Sequence, residues 1–241
     1  MLNHTLRLSV LFPLLSACSA GDWVVTTWGE EFIEDGIAAE EFEDGCSAIY
    51  DRFEVEFVSA ALVDTNDEII ADVPVTRFEL TSPGPQQLGT ASVSAATYER
   101  VYYEIGSESG DAVSVAGSLT CGGVTVSFDW TFDINNRYRC LPLEVAVPAD
   151  GEVVTDLTIH GDHLFFDSLE DEGAVLRGQA VVDADADGDG VVTMTELAAV
   201  DISTLDYPLG LYTDLTDLAG FINSQVEKVG HVDGEGHCYV D

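Results

Sequence analysis

The stretch Ala112-Val113-Ser114-Val115-Ala116-Gly117-Ser118-Leu119-Thr120-Cys121-Gly122-Gly123-Val124-Thr125-Val126-Ser127-Phe128-Asp129-Trp130-Thr131-Phe132 decides the fold class. Two β-rich runs flank a pair of glycines. In the second run apolar Val126, Phe128, Trp130 and Phe132 alternate with polar residues, as on a strand with one buried face. Gly122-Gly123 supplies the positive φ of a two-residue hairpin turn. The same pattern recurs on both sides. Upstream, Trp23 to Trp28 reads as a strand, and Phe53, Val55 and Phe57 alternate with Glu54 and Glu56. A turn at Asn66-Asp67 precedes Ile69-Ile70, and Tyr98 to Ile105 is rich in Tyr and Val. Downstream, Val145 to Val147 and Val153 to Ile159 complete the series. Many short strands between turn residues predict an antiparallel β-sandwich over residues 18–148. The acidic run Gly29 to Gly45 is expected to be a surface loop or a short helical turn.

From His160 onward the pattern turns helical, so residues 149–241 are expected to form a strand followed by a helical region. Ala174 to Val182 reads as one helix, weakened by Gly178, and Thr195 to Val200 as the start of another. Leu215, Leu218, Ile222, Val226 and Val229 mark a third apolar stripe. Thr213 or Asp214 would cap its start and Gly230 would stop it.

Between the first two helices lies Asp185-Ala186-Asp187-Gly188-Asp189-Gly190-Val191-Val192-Thr193-Met194-Thr195-Glu196. This is the D-x-D-x-D-G-x5-E spacing of an EF-hand calcium loop. Asp185, Asp187 and Asp189 bring hard carboxylate oxygens to one centre, and Gly190 permits the sharp turn. Val191 offers its backbone carbonyl, Thr193 a hydroxyl or a held water, and Glu196 two closing oxygens. The expected cofactor is Ca2+. An acidic, glycine-rich loop needs neither a glycine at the sixth position nor a glutamate at the twelfth, which weighs against a merely solvated segment. EF-hands usually pair, and no second such loop is present in the sequence. The partner is therefore expected to be the loop after Val200 or the sandwich itself.

His160, His163, His231 and His237 form a candidate second metal site, since imidazoles with neighbouring carboxylates suit zinc or copper. Against it stands strand geometry: on an extended chain, residues three apart face opposite sides. Leaving Cys18 aside, Cys46, Cys121, Cys140 and Cys238 make two disulfides, with three possible connectivities. The pairing expected is Cys46–Cys121 within the sandwich and Cys140–Cys238 tying the tail to the domain junction. None has the CxxC spacing of a zinc ribbon or a redox site.

At the start of the chain, Arg7 precedes an apolar core from Leu8 to Leu15, then Leu15-Ser16-Ala17-Cys18. The core is too short to span a bilayer. The last four residues resemble the lipobox of bacterial lipoproteins. That resemblance implies a signal peptide over 1–17, cleavage before Cys18 and lipid attachment to its sulfur. It also implies a membrane partner through the anchor, in an oxidising compartment that permits disulfides. In the common sorting rule an Asp after the lipidated cysteine retains the protein in the inner membrane. Ser19 stands there instead, which points to the outer membrane.

The formal charge is -37, with 45 acidic residues against 8 Lys and Arg, and Lys228 is the one lysine. Such a field repels nucleic acid and anionic lipid head groups. A hydrophobic fraction of 46% nevertheless suffices for a packed core. No catalytic motif stands out. Gly106-Ser107-Glu108-Ser109-Gly110 carries Glu where a nucleophile elbow needs Ser, and HExxH, P-loop and Rossmann patterns are lacking. Glu54 and Glu56 read as a solvated strand face before they read as a glycosidase pair. Trp23, Trp28 and Trp130 are candidate sugar platforms, with a core role as the competing reading.

Gly29-Glu30-Glu31-Phe32-Ile33-Glu34, His160-Gly161-Asp162-His163 and Gly236-His237-Cys238 resemble segments of secreted lipoproteins of myxobacteria and their relatives. This likeness implies a location and no mechanism. The sequence thus predicts a calcium-binding, lipid-anchored envelope protein with a structural or adhesive role. Two alternatives stay open: a zinc- or copper-handling protein, and a calcium-dependent binder of carbohydrate or of a protein at the cell surface.

Overall fold

A computed structural model describes residues 19–74, 76–140, 144–170, 173–233 and 238–240. Cys18 and His237 lie outside the described residues. The chain is mainly β. Its first strands are β1 (Ala20–Trp28), β2 (Ser47–Val63), β3 (Ile69–Pro74), β4 (Arg77–Glu79) and β5 (Gln86–Ser94). They are followed by β6 (Ala96–Tyr98), β7 (Arg100–Gly106), β8 (Val113–Cys121), β9 (Val124–Phe132) and β10 (Asn135–Cys140). The later strands are short apart from β12: β11 (Val145–Val147), β12 (Glu152–Ile159), β13 (Val191–Val192), β14 (Gly230–Val232) and β15 (Cys238–Val240). Four α-helices are described, α1 (Glu30–Glu34), α2 (Gln179–Val182), α3 (Met194–Leu197) and α4 (Leu218–Val226).

The larger sheet runs β13-β9-β8-β2-β7-β10-β15, with β3 and β4 also paired to β2. Its β8–β9 hairpin is the predicted one, in register from Val113↔Phe132 to Cys121↔Val124. Gly122 and Gly123 take φ of 57° and 87°, which only glycine adopts freely in succession. β2 is long enough to serve two neighbourhoods. Its first half pairs with β8 and its second half with β7, from Phe57 opposite Ile105 onward, with a register shift between Phe57 and Ser59. Such irregularities let a sheet curl.

The smaller sheet runs β14-β12-β1-β5. Here β12 pairs with β1 in parallel, Trp23 opposite Val153 and Trp28 opposite Thr158. This departs from an all-antiparallel arrangement, because the chain between the two strands builds most of the larger sheet, from β2 to β10, before returning. One hydrophobic cluster takes Trp23, Val25, Leu157 and Ile159 from the smaller sheet and Phe53, Val115 and Trp130 from the larger. The four-stranded sheet therefore draws on sequence from both sides of residue 148. Cys46–Cys121 and Cys140–Cys238 are the disulfides, with Cα separations of 4.2 and 4.1 Å.

The helices are shorter than the sequence pattern predicts. α2 begins only at Gln179, because residues 174–177 are held extended: Leu176 bridges Phe42 and Phe166, and the Val175 amide donates to Asp167 at 3.1 Å. The distant Asp44 carboxylate caps α2, accepting from the amides of Gly178 and Gln179, each at 2.8 Å. α4 is capped by Asp217, which accepts from the Gly220 amide at 2.9 Å, and not by Thr213 or Asp214. The reason is a bridge between Asp201 and Asp217 and a bond from the Ile202 amide to Thr216, which keep Leu215 and Thr216 out of the helix. Gly230 does not stop α4 either. It opens β14, where an added Cβ would lie 2.2 Å from the Tyr103 hydroxyl.

Candidate metal centres

The Asp185–Glu196 loop lies at the edge of the larger sheet. Asp185, Asp187 and Asp189 each present a carboxylate oxygen, all within 4.8 Å of one another. Gly188 and Gly190 turn the chain with φ of 73° and 83°. Asp185 spans the loop, its two oxygens accepting from the amides of Gly188 and Gly190, both at 3.0 Å. Asp187 accepts from the Asp189 amide and Asp189 from the Val191 amide, at 3.1 and 2.8 Å. Backbone donors therefore hold the three carboxylates close despite their mutual repulsion.

Glu196 closes the far end. One oxygen accepts from the Thr193 amide and hydroxyl, each at 2.9 Å, and the other from the Ala186 amide at 3.2 Å. Thr193 in turn accepts from the Glu196 amide, so the pair forms a capping box that starts α3. The Thr193 amide and then its hydroxyl hold the Glu196 carboxyl below its ordinary pKa.

Within the loop, β13 pairs in parallel with β9, Val191 opposite Ser127 and Val192 opposite Phe128. The Ser127 amide donates to Gly190 O at 2.9 Å, and the Trp130 indole nitrogen donates to Val192 O at 2.8 Å. Carbonyls alternate along a strand, so with those of Gly190 and Val192 turned to β9, that of Val191 points to the other side. That is the orientation the seventh loop position requires. Val192 is fully buried, as the eighth position of such a loop should be.

The second cluster is built where β12 ends. His160 follows the last residue of β12, His163 lies in a 3-10 turn over Asp162–Phe165, and His231 sits in β14, opposite Thr158 of β12. His160 and His163 do not face opposite sides, because the strand stops before His163. Gly161 packs against Ile33 and Tyr50, and the Tyr50 hydroxyl donates to Gly161 O at 2.6 Å. The turn that follows brings His163 back towards His160. Ring centroids lie 4.1 Å apart for His160 and His231, 5.3 Å for His163 and His231, and 5.7 Å for His160 and His163. One nitrogen of each falls within 4.8 Å of the others. His163 is buried and the other two are half-buried.

Two carboxylates flank His160. Glu30 Oε2 is 3.3 Å from its Nε2, and Asp162 Oδ1 is 3.7 Å from its Nδ1. Burial pulls the Glu30 carboxyl up, but the His160 hydrogen bond and charge outweigh it, and its pKa ends below the ordinary value. Asp162, more deeply buried, is pushed above it. Glu30 also adopts a left-handed backbone, φ 53°, directly after a glycine packed against Leu80 and Ile33. Strain of this kind in a non-glycine residue is usual where a side chain must be aimed. Sequence reasoning missed Glu30: it is one of eight acids between Gly29 and Gly45, and no local pattern separates it from the others.

Most of the other candidates are taken up by the structure, while Trp28 is half-buried at the end of β1. Trp23 and Trp130 are fully buried, and the Trp23 indole donates to Thr155 at 2.9 Å, so neither offers a sugar platform. Glu54 and Glu56 pair with Arg77 at 3.6 and 2.9 Å. Ser107 and Ser109 hydrogen-bond Asp111. No helix among the described residues is long and apolar enough to cross a membrane.

No protein-family model matches the chain, and no curated protein matches it. Among solved structures it is similar to MbnP from Methylosinus trichosporium, at 6% identity and a TM-score of 0.36, over 61% of this chain and 76% of that one. A likeness of that degree carries no inference about function.

Proposed function

We propose that this chain is a calcium-binding, lipid-anchored protein of the cell envelope, in which one Ca2+ fixes the Asp185–Glu196 loop against a β-sandwich. The observation that supports this best is the docking of β13 on β9. The loop has the full ligand spacing, its three aspartates converge, and its edge is hydrogen-bonded to the sheet. Ca2+ would join the backbone amides as a partner of Asp185, Asp187 and Asp189 and take both oxygens of Glu196. The two short helices α2 and α3 then serve as the helical EF-hand region, with the sheet in the place of a second hand. Outside the cytoplasm calcium is plentiful, so a stabilising or adhesive role fits better than a switch. The lipid at Cys18 would hold the protein at the outer membrane, with a protein or glycan partner at the surface. Calorimetric calcium titration tests the proposal. Wild type should take up one Ca2+ per chain, and Asp185→Ala and Glu196→Ala should each abolish it. Unchanged uptake in both variants contradicts it.

A second reading concerns the histidines, and the convergence of His160, His163 and His231 favours it. Three imidazole nitrogens suit Zn2+ or Cu2+, and not calcium, which prefers an all-oxygen shell. Glu30 and Asp162 would orient His160 and balance the charge of the ion, as second-layer carboxylates do at metal-bound histidines. Zinc or copper retained through dialysis by wild type and lost in His163→Ala supports this reading. Equal retention by both proteins contradicts it.

A further inference from the structure

We infer that a trough on the outer face of the larger sheet binds one uncharged sugar ring of a glycan, with Ser59 and Ala61 as its floor. The inference gives the glycan partner proposed above a place. It does not depend on the calcium loop, which pairs with β9 elsewhere in the sheet order. The trough is a cavity of about 310 Å3 over strands β3, β2, β7 and β10. Two cross-strand rows build it. Asp72 lies opposite Ala61, Ala61 opposite Tyr102, and Tyr102 opposite Arg139. In the next row Ser59 lies opposite Glu104, and Glu104 opposite Arg137. The central strand thus sets short side chains between longer ones, which leaves a depression.

The walls are held in place by their own contacts. The Tyr102 hydroxyl donates to Asp67 at 2.8 Å, and Arg100 pairs with the same carboxylate. The Arg139 guanidinium lies 5.3 Å from the centre of the Tyr102 ring. Arg137 donates to Glu104 Oε1 through Nε at 2.7 Å and also through Nη2. Side chains already fixed in this way lose little freedom when a ligand arrives.

The chemistry of the walls selects the ligand class. Three of the chain's seven arginines, Arg100, Arg137 and Arg139, stand at this face of a protein with formal charge -37. Arg137 answers Glu104 and Arg100 answers Asp67, while Asp72 is exposed at the rim, where solvent screens it. An anion would meet these three carboxylates and the field of the whole chain, and a cation would meet the guanidiniums. The trough instead offers hydrogen bonding of both kinds. Its carboxylates accept, its guanidiniums donate, and the Ser59 hydroxyl does either. Beside these groups stand apolar Ala61, exposed Ile69 and the ring of Tyr102. A sugar ring matches this mixture: its hydroxyls donate and accept, and its C–H face packs on apolar surface. The volume is at the low end for small-molecule sites, which suits a single ring.

The test is saturation-transfer NMR on the purified full-length chain, well below its melting temperature. The probes are the methyl glycosides of glucose, galactose, mannose and N-acetylglucosamine, beside glucuronate and glucosamine. At least one neutral glycoside should receive magnetisation from wild type, and bind more tightly than either charged sugar. Asp72→Ala removes an exposed acceptor and Ser59→Gln fills the floor. Both variants should melt as wild type does and bind that glycoside roughly tenfold more weakly. Binding should be the same in calcium and in EDTA, so that failure of calcium uptake and failure of sugar binding are read separately. No transfer to any neutral glycoside overturns the inference. Unchanged binding in both variants overturns it too, since the sugar then sits elsewhere. Tighter binding of glucuronate or glucosamine overturns the ligand class, and binding lost in EDTA assigns the sugar to the calcium loop instead.

Discussion

The indole nitrogen of Trp130 donates to the carbonyl oxygen of Val192 at 2.8 Å, joining strand β9 to the eighth residue of the acidic loop. Both side chains are fully buried. The contact gives the short strand of the loop a fixed partner in the sheet. Calcium affinity and the integrity of the sheet should therefore be coupled.

Trp130→Phe tests that coupling. The ring volume is largely kept, but a buried carbonyl loses its donor, at a cost of about 1–3 kcal/mol. Thermal unfolding should register that loss, and calcium affinity should fall several-fold although no ligand has been touched. An unaltered affinity in a destabilised protein would show that the loop folds independently of β9.

Removal of calcium should destabilise the whole protein, since the loop is hydrogen-bonded into the sheet. Binding to the folded state alone contributes RT ln(1 + [Ca]/Kd), about 2.7 kcal/mol at a hundredfold excess over Kd. The melting temperature should climb with the logarithm of calcium concentration in wild type and stay flat in Glu196→Ala. Parallel behaviour of the two proteins would assign the effect to diffuse binding by the many surface acids.

Monovalent salt should stabilise the calcium-free protein. With 45 acidic residues against 8 Lys and Arg, long-range repulsion outnumbers local pairs such as Arg77 with Glu54 and Glu56. Raising the ionic strength from about 0.01 M to about 1 M shortens the screening length from roughly 30 to 3 Å, so repulsion fades first. Melting measured in EDTA across that range should move upward. A downward shift would mean that the ion pairs dominate.

The Cys140–Cys238 disulfide ties β15, which has three residues, to β10. So short a strand has little cohesion of its own. Replacing both cysteines by Ala should cost about 2–4 kcal/mol in chemical denaturation. Hydrogen exchange should rise in β15 while calcium stoichiometry is kept, because the loop lies at the opposite edge of the sheet order. Loss of calcium binding in this variant would reveal a link between the two edges that the hydrogen-bond pattern does not contain.

Features encoded by short-range spacing were legible in the sequence. The Gly122-Gly123 hairpin needed only two glycines between β-rich runs, and the acidic loop only twelve consecutive residues. The histidine cluster was not legible in the same way. His163 reaches His160 because a strand ends before it and Gly161 fits under Tyr50, while His231 arrives by the pairing of β14 with β12. The helix caps failed for the same reason: Asp44 and Asp217 act through contacts with distant chain, at Gly178 and at Asp201. Local propensity carries no record of such contacts.

Metal content measured by elemental analysis tests the central claim most directly. The purified protein would be equilibrated with trace calcium, zinc and copper beside Asp185→Ala and Glu196→Ala, then dialysed. One calcium per chain in wild type and none in either variant is the predicted result. A wild-type protein without stoichiometric calcium, or variants that keep it, would contradict the claim that the Asp185–Glu196 loop is a calcium site.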